Sequence, residues 1–412
     1  MSPAMNQRFW LYLSGRTISS LGDGMTAIAM VWMVYDLTGS KLAMGSLYVI
    51  GLFAELVVRL AGAPLLDRLN RLRLMALLDA TLFVAFLAPL FLSLTGNLSI
   101  WHLYLLRALG GVALGLYAPA AMAVLPALVE RNQLVRATSL LSGFMQSARV
   151  GGPLLAGFML SFTTSETTMA IDALTFALSA IMLMLQPAAL GLPLSTGARP
   201  SYFHELRAGF GFFRQVPALL VLTLLNGIAM MSAYAIFTMH VPYAQETLLA
   251  GSEAAGLLQG FWPLGYVLGS LAVGLLPTVS HRRSVMLGGL TISGVALTGL
   301  GLVQPGYLPI ALLFKAMEGF GFALFSNTFN AAFQTIVPDA LRGRASAVQM
   351  LLSWGGNPLG AFLGAYLSQR MGISPAFLLM GSLPVVVGLA SFALPMLRAV
   401  DGDLTHLEEA TS

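Results

Sequence analysis

Charge is rare along this chain, and where it is missing the gaps are long. Residues 82–101, 285–310 and 377–397 contain no Asp, Glu, Lys or Arg. Each stretch is long enough to cross about 30 Å of hydrocarbon as a helix. Read in order, the apolar pattern predicts twelve membrane helices, near 9–37, 42–66, 74–97, 99–126, 136–163, 167–188, 218–246, 252–279, 284–303, 306–337, 342–369 and 373–398. The breaks between them are mostly short, so consecutive helices are expected to run antiparallel. The longest break, 186–217, is rich in proline and marks a seam. Within it, 204–215 sets Leu206, Phe210 and Phe213 on one side with Arg207 and Arg214 nearby, an amphipathic helix along the membrane surface. The expected division is therefore 1–188, a first six-helix bundle; 189–217, a cytoplasmic linker; and 218–412, a second six-helix bundle with a short tail.

The two bundles repeat one another. At a constant offset of 208, Arg107-Ala108 meets Lys315-Ala316, Gly111 meets Gly319, Val129 meets Val337, Arg136-Ala137 meets Arg344-Ala345, and Gly152 meets Gly360. A repeat over half the chain describes one membrane unit used twice. The fold class expected is an all-α membrane protein of two pseudo-symmetric six-helix bundles.

Composition narrows the function. The chain is 57% hydrophobic and 9% charged, with a mean hydropathy of +0.81, whereas a soluble domain carries about 25% charged residues. There is no cysteine, and the five histidines show no metal-ligand spacing. No cofactor and no metal are expected. The formal charge of +4 does not point to nucleic acid, because it follows membrane topology. One set of loops with both termini holds fourteen Lys and Arg, and the opposite set holds Lys41 and Arg370. The positive-inside rule then puts both termini in the cytoplasm. No cleavable signal peptide is expected, since Arg16 and Asp23 interrupt the first apolar run. No nucleophile–base arrangement suggests an enzyme.

Ten ionisable residues fall inside the predicted spans: Arg16, Arg59, Arg107, Arg149 and Lys315, with Asp23, Glu55, Asp79, Asp172 and Glu318. Each costs at least about 2.5–3.5 kcal/mol near the bilayer centre unless paired or hydrated. The plainer reading is internal pairing: Glu55 and Arg59 are four apart on one helix face, and Arg16 and Asp23 are seven apart on another. The functional reading makes them an ion pathway.

The loop after the second span reads Ala63-Pro-Leu-Leu-Asp67-Arg68-Leu-Asn70-Arg71-Leu-Arg73. At Asp67, Arg68 and Arg71 it resembles the signature loop of the major facilitator superfamily, although Ala63 and Asn70 stand where members usually have glycine. The resemblance implies a gating role for Asp67, Arg68 and Arg71. The fourth span adds Arg107-x-x-x-Gly111-x-x-x-Gly115, whose glycines make a groove for a close helix neighbour. In the superfamily this arginine is linked to proton coupling. The fifth adds Gly151-Gly152-Pro153-x-x-x-Gly157, similar to the motif of the exporter and antiporter branches; proline and small residues there make a bendable helix. Ser19-Ser-Leu-Gly-Asp23, Trp32 to Ser40, and Glu205 to Pro217 resemble the bacterial subfamily containing the enterobactin exporter and macrolide efflux proteins.

What the resemblance implies is a monomeric secondary transporter of the bacterial cytoplasmic (inner) membrane. It would export a drug-like or siderophore-like molecule by alternating access and proton antiport. Asp23 is the first candidate proton carrier and Glu55 the second, with Arg59, Arg107 and Arg149 in the same network; Asp23 could instead serve structurally by holding Arg16. The substrate cavity is expected to draw on Arg16, Asn226, Tyr234, Phe237, Trp262, Tyr266, Lys315, Glu318, Phe322 and Asn357, with Asp23, Arg107, Lys315 and Glu318 in reach of solvent. Gly152, Pro153 and Gly157 supply the bend. The partners are then a small molecule, protons and lipid, with no nucleic acid. The rival reading is a lysophospholipid flippase or another lipid-handling member of the superfamily.

Overall fold

In the computed structural model, the described residues are 5–61, 69–191, 202–275, 281–338 and 341–401, with side chains set aside at 60–61 and 202–208. Among them there is helix and no strand. The chain divides into two compact units, Met1–Gly197 with Ala250–Gly260, and Ala198–Leu249 with Phe261–Ser412.

Unit 1 holds α1 (Gln7–Thr38), α2 (Lys41–Ala61), α3 (Arg71–Leu94), α4 (Ile100–Leu128), α5 (Leu134–Leu160) and α6 (Ser165–Met184). Their ends carry local stop and start signals. The Asn6 side chain accepts the Phe9 N–H at 2.8 Å to open α1, and Gly39, at φ +60°, closes it. Asn70 caps α3 through the Arg73 N–H and donates to the Ala188 carbonyl at 2.6 Å. α1 packs on α5 and α6, α3 on α4 and α6, and α2 on α4. Phe9, Tyr12, Leu13, Met75 and Val124 form the core at one end. On α3 that core claims Leu72 and Met75, whereas Leu77, Val84 and Phe91, seven residues apart, are more than 60% exposed. An apolar stripe of that kind needs hydrocarbon rather than water outside it.

Unit 2 holds α7 (Tyr202–Gln215), α8 (Pro217–Phe237), α9 (Ser252–Leu275, whose first turns belong to unit 1), α10 (Arg282–Leu300), α11 (Leu308–Ile336), α12 (Arg342–Trp354), α13 (Gly356–Met371) and α14 (Ile373–Ser391). Its packing repeats that of unit 1: α8 on α12, α13 and α14, and α10 on α11 and α14. The amphipathic segment is a helix, but its buried face differs from the expected one. Phe212 and Phe213 enter the core of unit 2 while Phe210 is 37% exposed.

Ten of these helices are long and apolar enough to span a membrane. The two expected spans outside that set have visible reasons. α5 carries Arg136, Arg149 and a series of hydroxyls. The expected span 342–369 is broken at Gly355 into α12 and α13.

Candidate functional site

One face of α1 presents Arg16, Ser19, Asp23, Thr26 and Met30, spaced three and four apart. One face of α4 presents Arg107, Gly110, Leu114 and Tyr117 in the same way. With Tyr48 of α2, Asp79 and Phe86 of α3 and Phe176 of α6, they enclose a cavity of about 190 Å³ inside unit 1. Two helix crossings fix these faces. At the first, α2 lies in the glycine groove of α4 so closely that a Cβ on Gly111 would sit 2.3 Å from the Gly51 carbonyl, and the Arg107 guanidinium runs across Gly51. At the second, α1 meets α5 one residue beyond Asp23, where a Cβ on Gly24 would sit 2.9 Å from both Gly152 Cα and Pro153 Cδ. The Arg-Gly-Gly and Gly-Gly-Pro motifs therefore position the two walls that carry the charges.

Three carboxylates occupy three distinct settings. Asp23 is exposed to the cavity and makes no hydrogen bond or ion pair among the described residues, while the charges of Arg16 and Arg107 bear on it. Asp79 is 1% exposed; Ser179 donates to its Oδ2 at 2.6 Å and Tyr117 to the same oxygen at 3.3 Å. Asp172 is sealed from solvent, with Thr26 donating to Oδ2 at 2.5 Å and Thr175 to Oδ1 at 3.0 Å. Arg16 does not pair with Asp23 as the seven-residue spacing allowed. Its guanidinium stacks 4.6 Å from the Tyr117 ring centre and Nη2 points to Met145 Sδ, because the ring and thioether lie on the side of α1 that the arginine faces. Arg107 lies 6.0 Å from the Tyr48 ring centre.

Other expected residues fall elsewhere. Glu55 and Arg59 pair with each other at 2.7 Å on α2, and Arg149 is exposed; none of the three lines the cavity. Gly157 meets the first turn of α9, where Ser252 donates to its carbonyl at 3.1 Å. Asp67 and Arg68 lie outside the described residues, and Arg71 is the first residue of α3. In unit 2, Lys315 and Glu318 are not in reach of solvent. They form an ion pair at 1% and 2% exposure, with the Trp262 side chain as a further partner of the carboxylate. The reason is their spacing of three on α11, which lets each neutralise the other. Trp262 stacks on Tyr266 at 5.5 Å, and Phe322 completes the cluster 6.0 Å from Trp262. Tyr234 and Phe237 contact each other at 5.6 Å. Asn226 and Asn357 are buried, each with Oδ1 unbonded.

Asp79, Asp172 and their hydroxyl partners are the site members that the motifs did not single out. The two aspartates were visible as charges inside spans, but three of their four donors come from other helices, at separations of 38 to 146 residues, and Thr175 alone shares a helix with its aspartate.

Comparison with known proteins finds transporters that match nearly the whole chain. The chain is 25% identical over 402 residues to the multidrug efflux pump Tap of Mycolicibacterium fortuitum, covering 95% of this chain and 96% of that one. It is 22% identical over 400 residues to macrolide efflux protein A of Streptococcus pyogenes, covering 96% and 97%. Among solved structures, a peptide transporter of the POT family superposes with a TM-score of 0.75 at 13% identity over 96% of each chain. The nucleoside transporter NupG superposes with a TM-score of 0.73 at 14% identity over 94% of this chain and 99% of that one. Those two likenesses establish the fold. The family model described as transmembrane secretion effector matches residues 1–410, so this chain is an integral membrane protein of the major facilitator superfamily, belonging to the family of that description.

Proposed function

We propose that this protein exports a large, partly apolar, drug-like molecule by alternating access and proton antiport, and that Asp23 carries the proton. The observation that supports this reading is the setting of Asp23: a carboxylate inside a membrane helix, open to a cavity, unbonded, and under two arginine charges. A group so placed can gain and lose a proton without breaking any hydrogen bond, and a shift of either arginine changes its balance. Drug-like cargo is supported by the relatives that pump multiple drugs or macrolides, and by the Trp262–Tyr266–Phe322 cluster, which offers stacking area. The basic loops support a cytoplasmic placement of both termini, which in a bacterium means the inner membrane.

The test is efflux of a macrolide and of a cationic dye from everted vesicles under an imposed pH gradient. Asp23→Asn is expected to abolish gradient-driven movement while equilibrium binding of the macrolide persists. Undiminished gradient-driven export by that variant would remove Asp23 from the mechanism. Movement of a lysolipid without any gradient, and of no drug, would favour a flippase instead.

A further inference from the structure

Asp79 and Asp172 are the two buried carboxylates of unit 1, among the described residues, that Asp23-based coupling leaves unused, and Asp79 is the one at the cavity. It lines the same cavity as Asp23. Both of its hydrogen-bond donors, Ser179 and Tyr117, address Oδ2, so Oδ1 has no partner among the described residues. The charged and titratable groups facing it are Arg16 and Asp23 on α1, Tyr117 on α4 and Asp172 on α6. Arg107, on the cavity wall, completes the set. Arginine does not lose its proton in proteins. Two fixed positive charges thus stand among three carboxylates, and a low-dielectric interior disfavours an unbalanced negative charge. Neutrality is reached when the three carboxylates share one proton.

Geometry selects where that proton goes. Asp172 has both oxygens engaged by hydroxyls and does not reach the cavity. Asp23 is the exposed entry point. We propose that Asp79, held by Ser179 and Tyr117, is a second proton-binding site of unit 1, filled from Asp23 through the cavity. The site thus deepens the antiport reading above and rests on it. In the transfer, an O–H bond of the Asp23 carboxyl breaks and one forms on Asp79 Oδ1, relayed by water, for which 190 Å³ gives ample room. The total charge is unchanged. Asp23 is left ionised between Arg16 and Arg107 while the proton is stored one helix away.

The experiment is pH-difference infrared spectroscopy of the full chain in lipid, following the carbonyl bands of protonated carboxyl groups. Wild-type protein is expected to show two titrating bands, one lost in Asp23→Asn and the other lost in Asp79→Asn. Ser179→Ala is expected to keep the second band and displace it, which serves if Asp79→Asn does not fold. A spectrum of Asp79→Asn that retains both bands, or an undisplaced second band in Ser179→Ala, would overturn the second site. Loss of a band in Asp23→Asn alongside either result leaves the antiport reading standing, whereas intact bands and intact export in Asp23→Asn would sink that reading instead.

Discussion

The Lys315–Glu318 pair permits a quantitative test of what charge does inside unit 2. Both side chains are 2% exposed, and the pair spans three residues of α11. Lys315→Met leaves a carboxylate whose remaining partner is the Trp262 side chain. Glu318→Leu leaves an ammonium in the same place. Removing one member of a buried pair costs about 3–5 kcal/mol, because the partner stays desolvated and uncompensated. Replacing both with apolar residues of similar volume is close to neutral, since the desolvation of two ions disappears together with their attraction. The double variant Lys315→Met/Glu318→Leu is therefore expected to be more stable than either single variant by about 3 kcal/mol or more. Reversible unfolding in mixed micelles would measure it as a complete double-mutant cycle. If both single variants lie within about 0.5 kcal/mol of wild type, as exposed substitutions do, the pair is hydrated, and its closure within unit 2 is wrong. Export by the stable double variant would separately show whether the charges serve the cargo.

Three further outcomes follow from the packing of unit 1. Gly111→Ala puts a methyl 2.3 Å from the Gly51 carbonyl, so it should cost about 1–3 kcal/mol by overpacking, read in the same unfolding assay. Glu55→Gln removes an i,i+4 pair with side chains 14% and 26% exposed; about 0.3–0.5 kcal/mol should be lost, with gradient-driven efflux retained, and collapse of efflux would move the proton from Asp23 to Glu55. Thr26→Val takes a donor from the sealed Asp172 and should cost about 1.5–3 kcal/mol, read in the same unfolding assay.

The fold was legible because a lipid solvent leaves a coarse signal: helices must be long, apolar and internally hydrogen-bonded. The repeat at offset 208 and the uncharged runs were enough for it. The exceptions are informative. α5 is too polar for the simple hydropathy pattern because it carries Arg136 and Arg149. Within the site, residues on one helix were readable from spacing, as with Glu55–Arg59 and the crossing glycines. Contacts between helices were not. Nothing in the local sequence tells Arg16 to stack on Tyr117 rather than pair with Asp23, or brings Ser179 to Asp79 across 100 residues. The choice between a paired and a free charge is made by helix rotation, and helix rotation is set by the whole bundle.

That choice differs between the two copies of the repeat, and one position accounts for it. Arg107 corresponds to Lys315, and both stand one turn before a glycine crossing, Gly111 against Gly51 and Gly319 against the Trp262 carbonyl. Three residues after Lys315 stands Glu318, which closes the charge into a pair. Three residues after Arg107 stands Gly110, which leaves the charge to act on Asp23. Gly110 lines the cavity, and a Cβ built there approaches only Phe86, at 4.0 Å. A longer side chain therefore has room. Gly110→Glu is expected to recreate in unit 1 the closed pair of unit 2, with the new carboxylate taking Arg107. If the free arginine matters to Asp23, gradient-driven efflux should then fall to the level of Asp23→Asn, while Gly110→Gln, equal in size but uncharged, keeps most of it. Equal activity of the two variants would mean that the charge on Arg107 has no part in setting the proton affinity of Asp23, and the contrast between the repeats would be one of packing alone.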